Sequence, residues 1–139
     1  MIRINGLSKR FGAAEVLHEI TLDIRKGEIF TLIGPSGSGK TTLLRHIDLL
    51  EIPTSGSMLF DGQDTATDEA GRLAIRRCMG MVFQRPAVLN TTVAENVAFG
   101  LKFRGAGTRE CVEKVRSVLD MVGLPGVEVG ARRRGEVPA

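Results

Sequence analysis

The residues with the clearest chemical potential form one glycine-rich run that ends in a lysine and two threonines. Residues 34–41 fit the pattern G-x-x-x-x-G-K-[ST]. Glycines allow the backbone to curl around a polyphosphate, so that successive N–H groups from about Gly37 to Thr41 point inward. Lys40 would bring a positive charge to the β- and γ-phosphates, the Thr41 hydroxyl would complete the shell of a Mg²⁺ ion, and Thr42 would bond the α-phosphate. The candidate phosphate-binding residues are therefore Gly34, Pro35, Ser36, Gly37, Ser38, Gly39, Lys40, Thr41 and Thr42.

A strand and a helix are predicted on either side of this loop. Residues 28–33 form a short, nearly continuous apolar run, which is typical of a strand covered on both faces. After the loop, apolar residues recur at helical spacing, at Leu43, Leu44, Ile47 and Leu50, until Pro53 and Gly56 stop the helix. The strand-loop-helix context supports a phosphate-binding role, because the pattern has this meaning only in that setting.

Further strands are predicted in the first half of the chain. Residues 2–7 and 16–24 flank a turn at residues 12–14 and predict a pair of strands. A third strand is predicted at residues 57–60, followed by a turn at Asp61 and Gly62, and another buried strand at residues 79–83.

Three further helices are predicted from capping residues and apolar spacing. A short polar helix is expected at residues 68–77. Thr92 and Glu95 form a capping-box pattern, which predicts a helix from there to about Gly105. Thr108 is predicted to cap a last helix that ends at Gly123 and has one apolar face, formed by Cys111, Val112, Val115, Val118, Leu119 and Val122.

Composition excludes several classes of protein. The net charge is +3, and the chain has neither Trp nor Tyr, so nothing indicates a nucleic-acid interface. The longest stretch without a charged residue, residues 29–39, is too short and too rich in Gly, Pro and Ser to span a bilayer. We expect a cytoplasmic protein in which Cys78 and Cys111 are reduced, buried thiols, and in which His18 and His46 are structural.

Several spaced motifs together resemble the ATP-binding subunit of ABC transporters. They are the loop with the two leucines that follow it, residues 24–28 before it, and residues 53–56 and 61–62 after it. Residues 81–86 resemble the family's Q-loop, and residues 92–97 resemble the start of its helical subdomain. The resemblance covers about residues 1–125. It implies an α/β fold of the P-loop NTPase class, in which residues 1–129 form the N-terminal part of an ABC-type ATP-binding domain and residues 130–139 form a divergent, disordered tail.

The resemblance also assigns roles to two residues outside the loop. It implies that Phe11 stacks on the adenine of ATP, although a core Phe filling a gap between strands is an equal alternative. It implies that Gln84 approaches Mg²⁺ and the attacking water and links the two subdomains. A lone Gln after a strand is otherwise an ordinary polar cap.

The resemblance implies partners and a solute class as well. The partners are transmembrane permease subunits and a second ATP-binding subunit, which would hold the chain at the inner face of the cell membrane. The segment between Gln84 and Val93 is shorter than in most ABC importers, a feature similar to the subunits of phosphate and of tungstate or molybdate importers. The implied activity is ATP hydrolysis coupled to oxyanion import.

The family's signature sequence, its Walker B carboxylates and its switch histidine do not occur in residues 1–139. We therefore expect this chain alone to bind nucleotide weakly and not to hydrolyse it. Two alternatives remain open at this stage. One is a catalytically inactive nucleotide-binding fragment with no transport role, and the other is a different P-loop enzyme, such as a kinase or a GTPase, although no Asn-Lys-x-Asp guanine-binding motif is present.

Overall fold

The computed structural model describes residues 1–85 and 87–126. The chain divides into two compact units, Met1–Val82 and Phe83–Ala139. The first unit contains an antiparallel sheet with two helices, and the described part of the second unit contains two helices. Among the described residues, no helix has both the length and the apolar character that crossing a bilayer requires.

The sheet of the first unit has four strands in the order β2-β1-β3-β4, and each strand is antiparallel to its neighbours. The strands are β1 (Ile2–Phe11), β2 (Ala14–Ile24), β3 (Ser55–Phe60) and β4 (Gln63–Asp64). The predicted first pair of strands is confirmed, and both strands are longer than predicted because the turn between them is tight. The turn at Asp61 and Gly62 is also confirmed: φ is positive at both residues, 46° and 81°, as a two-residue hairpin turn requires.

Helix α1 (Lys40–Ile47) and helix α2 (Glu69–Arg76) complete the first unit. Its buried core contains one or two side chains from most of these elements and one from the turn after α1: Ile4, Leu7, Leu17, Leu43, Leu49, Met58 and Ile75. The Asp68 side chain caps α2 by accepting a hydrogen bond from the Gly71 N–H at 2.8 Å. The predicted polar helix is therefore confirmed, with Asp68 just outside it.

Strand β3 approaches β1 closely at Gly56. A Cβ atom added there would lie 2.6 Å from the Leu7 Cα, and φ of Gly56 is +88°. Only glycine tolerates both conditions, because any side chain would meet backbone that cannot move aside.

The prediction of a strand at residues 28–33 is wrong for the described structure. These residues have no strand partner among the described residues, and all of them except Leu32 are exposed. Leu32 packs on the core, whereas Ile29 and Ile33 are 94% and 93% exposed. A strand requires a neighbour to accept and donate its backbone hydrogen bonds, and apolar character alone does not supply one.

The prediction of a buried strand at residues 79–83 is wrong in the same way. Met79 packs against the core of the first unit, but Val82 is 94% exposed and Phe83 is about half exposed. No strand pairing within residues 1–85 and 87–126 includes this segment.

The second unit contains α3 (Val93–Phe103) and α4 (Thr108–Met121), which pack against each other. The capping box is confirmed: the Glu95 N–H donates to the Thr92 hydroxyl at 3.2 Å, and the Thr92 N–H donates to the Glu95 carboxylate at 3.3 Å. The predicted cap of α4 is wrong, because Gly107 occupies the cap position and Thr108 is already helical.

The apolar face predicted for α4 is only partly buried. Cys111, Val115 and Leu119 lie in the core of this unit, whereas Val112, Val118 and Val122 are exposed. Helix α3 is the element that packs most against α4, and a single helix covers only a narrow stripe of its neighbour. Both cysteines are free, but Cys78 is exposed, so the expectation that both are buried is wrong for that residue. The predicted tail at residues 130–139 lies outside the described residues.

Candidate functional site

The glycine-rich loop lies in the first unit, between the extended residues 28–33 and helix α1. The Ser38 N–H donates to the Pro35 carbonyl at 3.3 Å, which closes a tight turn at the tip of the loop. Gly37 and Gly39 have φ of +82° and +86°, values that L-residues rarely adopt. The loop therefore has the curled backbone that its glycines predicted.

The side chain of Lys40, the first residue of α1, contacts three residues of the loop. Its ammonium donates to the carbonyl oxygens of Gly34 at 2.7 Å and Pro35 at 2.6 Å, and to the Ser38 hydroxyl at 3.1 Å. These contacts draw the side chain back over the loop, so its positive charge lies where the backbone curls. An anion bound in the loop would meet this charge directly.

The N-terminus of α1 adds backbone donors to the same place. Gly39 precedes the helix without any side-chain cap, and the first helical hydrogen bond runs from the Leu43 N–H to the Gly39 carbonyl at 2.8 Å. The N–H groups of Lys40, Thr41 and Thr42 have no acceptor among the described residues. Unpaired N–H groups at a helix N-terminus, together with the helix dipole, favour an anion.

Gly39 also fixes the loop against the sheet. A Cβ atom at this position would lie 2.9 Å from the Val16 carbonyl oxygen and 2.9 Å from the Leu17 side chain. Because Gly39 has no side chain, the start of α1 can lie directly against β2. The close approach of the loop to the first hairpin therefore requires a glycine at this position.

Phe11 is the last residue of β1 and pairs with Ala14 across the hairpin turn. Its side chain is 48% exposed, so the alternative of a core Phe is not what the structure shows. The Lys9 ammonium lies over the ring, 4.8 Å from its centroid. Sequence reasoning missed Lys9, although residues two apart on a strand share a face and the spacing was available as a signal.

Gln84 belongs to the second unit, whereas the loop belongs to the first. Its side chain is exposed and has no hydrogen-bond partner among the described residues. The two predicted magnesium-binding residues, Thr41 and Gln84, both offer neutral oxygens. Mg²⁺ prefers oxygen donors and takes the rest of its shell from water and phosphates, so these side chains fit such an ion if a nucleotide brings it. No cluster of three or more His, Cys, Asp or Glu side chains among residues 1–85 and 87–126 offers a metal site of another kind.

Asp48, just after the last residue of α1, is a carboxyl group with a raised pKa. Burial raises the pKa of Asp48 above its ordinary value, and the nearby Arg76 guanidinium lowers it by less. His46, the next-to-last residue of α1, is buried, and its Nδ1 lies 2.7 Å from the Thr42 carbonyl oxygen. This contact agrees with the structural role expected for His46.

Comparison with curated proteins finds import ATP-binding proteins. The chain is 50% identical over 125 residues to the sulfate/thiosulfate import ATP-binding protein of Bordetella bronchiseptica, covering 88% of this chain and 34% of the relative. It is 44% identical over 132 residues to that of Agrobacterium fabrum, covering 91% of this chain and 37% of the relative. A methionine import ATP-binding protein of Burkholderia mallei is 46% identical over 130 residues, covering 92% of this chain and 31% of the relative. The chain thus spans about a third of the length of these relatives.

Comparison with solved structures agrees. A dimeric ATP-binding cassette in a post-hydrolysis state, bound to ADP and Pi, superposes with a TM-score of 0.83 at 31% identity, covering 99% of this chain and 63% of that one. A Clostridium perfringens protein described as part of an ABC transporter complex gives a TM-score of 0.81 at 25% identity, covering 91% of this chain and 52% of that one. The family model described as ABC transporter matches residues 17–135. The chain therefore belongs to the ABC transporter family, and its residues correspond to the N-terminal part of the family's ATP-binding domain.

Proposed function

We propose that this chain binds ATP as part of the ATP-binding subunit of an ABC importer, in which ATP binding and hydrolysis drive solute transport. One observation carries the proposal: the Lys40 ammonium and the unpaired N–H groups at the start of α1 converge on one curled loop. That arrangement fits the β- and γ-phosphates of a nucleotide better than it fits any neutral ligand.

Each residue of the loop has a separate task in this proposal. Lys40 exchanges some of its contacts with backbone carbonyls for contacts with phosphate oxygens, because phosphate offers a full negative charge. The N–H groups of Thr41 and Thr42 bind phosphate oxygens. The Thr41 hydroxyl would be one ligand of a Mg²⁺ ion, and the Gln84 amide oxygen would be a further donor to it. When bound, the metal neutralises charge on the phosphates.

Phe11 is proposed to stack on adenine. Its half-exposed ring at the end of β1 supports this role, since a base needs an accessible aromatic face. Gly39 lies close to the hairpin that bears Phe11, so both ends of one nucleotide would meet the same compact unit.

The proposed partners are transmembrane permease subunits and a second ATP-binding subunit, with the chain held at the inner face of the membrane by the permease. The names of the relatives, which describe import ATP-binding proteins, support a permease partner. The description of one similar structure as a dimer supports a second ATP-binding subunit.

The proposed solute is an oxyanion. Two of the relatives are sulfate/thiosulfate import proteins, and sulfate is a tetrahedral oxyanion like the phosphate, tungstate and molybdate that the segment after Gln84 suggested. Methionine is a second candidate, favoured by the 46% identity to a methionine import protein. Uptake of labelled sulfate and labelled methionine by cells with a Lys40→Ala allele distinguishes them, because only the transported solute should lose its ATP-driven uptake.

ATP binding itself is testable on the 139-residue chain by isothermal titration calorimetry with ATP and Mg²⁺. We expect binding that Lys40→Ala weakens at least tenfold, because a charge-assisted contact to phosphate is lost. Lys114→Ala on the exposed surface of α4 removes the same charge and should bind like the parent. Equal affinity for the Lys40 and Lys114 variants would refute the proposed site.

We further propose that these 139 residues do not hydrolyse ATP by themselves, because they hold no Walker B carboxylate to serve as a base. A phosphate-release assay on the purified chain tests this. Turnover that disappears in Lys40→Ala would show that the chain is a catalyst and would overturn the proposal.

A further inference from the structure

We propose that Lys9 is a positioning residue for the nucleotide base: it holds the Phe11 ring in place and polarises it from the side opposite the base. The inference rests on the proposed function, in which Phe11 stacks on adenine. It adds a residue that neither the motif pattern nor the resemblance assigns.

The first step is that the Lys9 side chain is anchored. Its ammonium donates to the Ile52 carbonyl oxygen at 2.7 Å and lies 3.4 Å from the Glu51 carboxylate. Only 14% of the side chain is exposed. A lysine on a strand surface usually moves freely in solvent, so two partners on one segment make this ammonium a fixed charge.

The second step is that this fixed charge lies over an aromatic ring. The ammonium is 4.8 Å from the centroid of Phe11, within the range of a cation–π interaction. Phe11 is nevertheless 48% exposed. The ammonium lies over one face of the ring, so a base that stacks on Phe11 would need the exposed area to include the opposite face.

The third step connects the ring to the loop helix. The Glu51 carboxylate that holds Lys9 also lies 3.8 Å from the Arg45 guanidinium in the last turn of α1. One carboxylate therefore links the helix that would bind the phosphates to the lysine that orients the ring. Through Glu51, the residues proposed to bind the base and the helix proposed to bind the phosphates are therefore in contact with one side chain.

The chemical consequence is selectivity for a purine base over a bare polyphosphate. A cation beneath the ring draws electron density from the open face, which favours stacking of an electron-rich purine. Lys9 should therefore influence binding of ATP and not binding of tripolyphosphate, which has no base.

The test compares the affinity of four chains for ATP and for tripolyphosphate, each with Mg²⁺, by calorimetry. The chains are the parent, Lys9→Met, Lys9→Arg and the control Lys114→Met. We expect Lys9→Met to weaken ATP binding about two- to fivefold, as a cation–π contact of this kind implies. Tripolyphosphate binding should not change, Lys9→Arg should restore ATP binding, and Lys114→Met should match the parent for both ligands.

The contradicting outcomes are distinct. If the parent binds ATP no better than tripolyphosphate, stacking on Phe11 is wrong and the role of Lys9 falls with it. If the parent prefers ATP and Lys9→Met keeps that preference, only the role of Lys9 is wrong. Equal weakening for both ligands would also overturn it, because it would mean a general loss of charge.

A second variant decides the matter if Lys9→Met does not fold. Lys9→Gln keeps a polar side chain that can still donate a hydrogen bond, but it removes the charge over the Phe11 ring. We expect a loss of ATP affinity like that of Lys9→Met, with tripolyphosphate unaffected. Unchanged affinity for ATP in a folded Lys9→Gln chain would overturn the proposed role of Lys9.

Discussion

Gly39 lies so close to Val16 that a Cβ atom on the glycine would come within 2.9 Å of the Val16 carbonyl oxygen. The contact is made by backbone, which cannot rotate away as a side chain can. It brings Gly39, the residue just before α1, against strand β2. The position of the glycine-rich loop relative to the hairpin therefore requires a residue with no side chain.

We expect Gly39→Ala to destabilise the first unit and to weaken ATP binding. The left-handed backbone costs about 1–2 kcal/mol for alanine, and the contact with Val16 adds to that. Gly37→Ala is the matched control for stability, because its φ is +82° but a Cβ atom there has no neighbour within 4 Å. Thermal unfolding of both variants measures the difference in stability, and calorimetry of the Gly39 variant measures ATP binding. Equal destabilisation would mean that the contact with β2 has no energetic role.

A second pair of glycine variants tests how closely β3 approaches β1. Gly56→Ala should be strongly destabilising, because the added Cβ would lie 2.6 Å from the Leu7 backbone. Gly62→Ala, with a similar φ of +81° and no neighbour within 4 Å, should cost only the backbone strain of about 1–2 kcal/mol. Urea denaturation followed by circular dichroism gives both free energies of unfolding. A Gly56 variant as stable as the Gly62 variant would contradict the close packing of β3 on β1.

The chain contains neither Trp nor Tyr, so a single introduced Trp becomes its only strong fluorophore. Phe11→Trp should report nucleotide binding through a change in fluorescence on adding ATP with Mg²⁺, because the base stacks on the indole. Tripolyphosphate should give no such change. The control is Phe99→Trp on α3, where the native side chain is similarly exposed, at 54%. A nucleotide response of equal size at both positions would argue against base stacking at residue 11.

The pKa of Asp48 predicts a specific pH dependence. Burial raises this pKa above the ordinary 3.8, so the folded chain binds the proton more tightly than the unfolded chain does. The contribution of Asp48 to stability is then most favourable below pH 3.8 and declines as the pH rises through the pKa of the folded state.

Asp48→Asn should therefore raise the free energy of unfolding at pH 7, and the gain should vanish when the carboxyl of the parent is protonated. Removal of a negative charge from the C-terminal end of α1 acts in the same direction. Asp120→Asn in the last turn of α4, where the carboxylate is exposed, controls for that dipole effect. Denaturation at pH 3 and pH 7 separates the two contributions, and a gain that is no larger for Asp48 than for Asp120 would contradict a role for burial.

The outward face of residues 28–33 predicts self-association of the 139-residue chain. Ile29 and Ile33 are almost fully exposed, and their segment has no strand partner among the described residues. Substitution of both by Thr should reduce aggregation, measured by light scattering after gel filtration, without lowering the melting temperature. Ile4→Thr, at a fully buried position, should instead destabilise the fold. Unchanged aggregation of the double variant would mean that another surface is responsible.

The sequence by itself determined the features that depend on neighbouring residues. The Thr92–Glu95 capping box, the Asp61–Gly62 turn and the curled loop around Lys40 all form from bonds within a few positions of the chain. Such features follow from residue type and spacing, because the partners are never far apart. The family could be inferred for the same reason, since its motifs are local.

Only the tertiary structure decided which segments become strands and which side chains meet. Residues 28–33 have the composition of a strand, but strand formation needs backbone partners, and none is present among the described residues. The contact of Lys9 with Glu51 joins two distant parts of the sequence, and no local pattern predicts it. The same holds for Phe11, whose exposure depends on what the remaining chain leaves uncovered. Long-range pairing is set by the packing of the whole unit, which sequence periodicity does not encode.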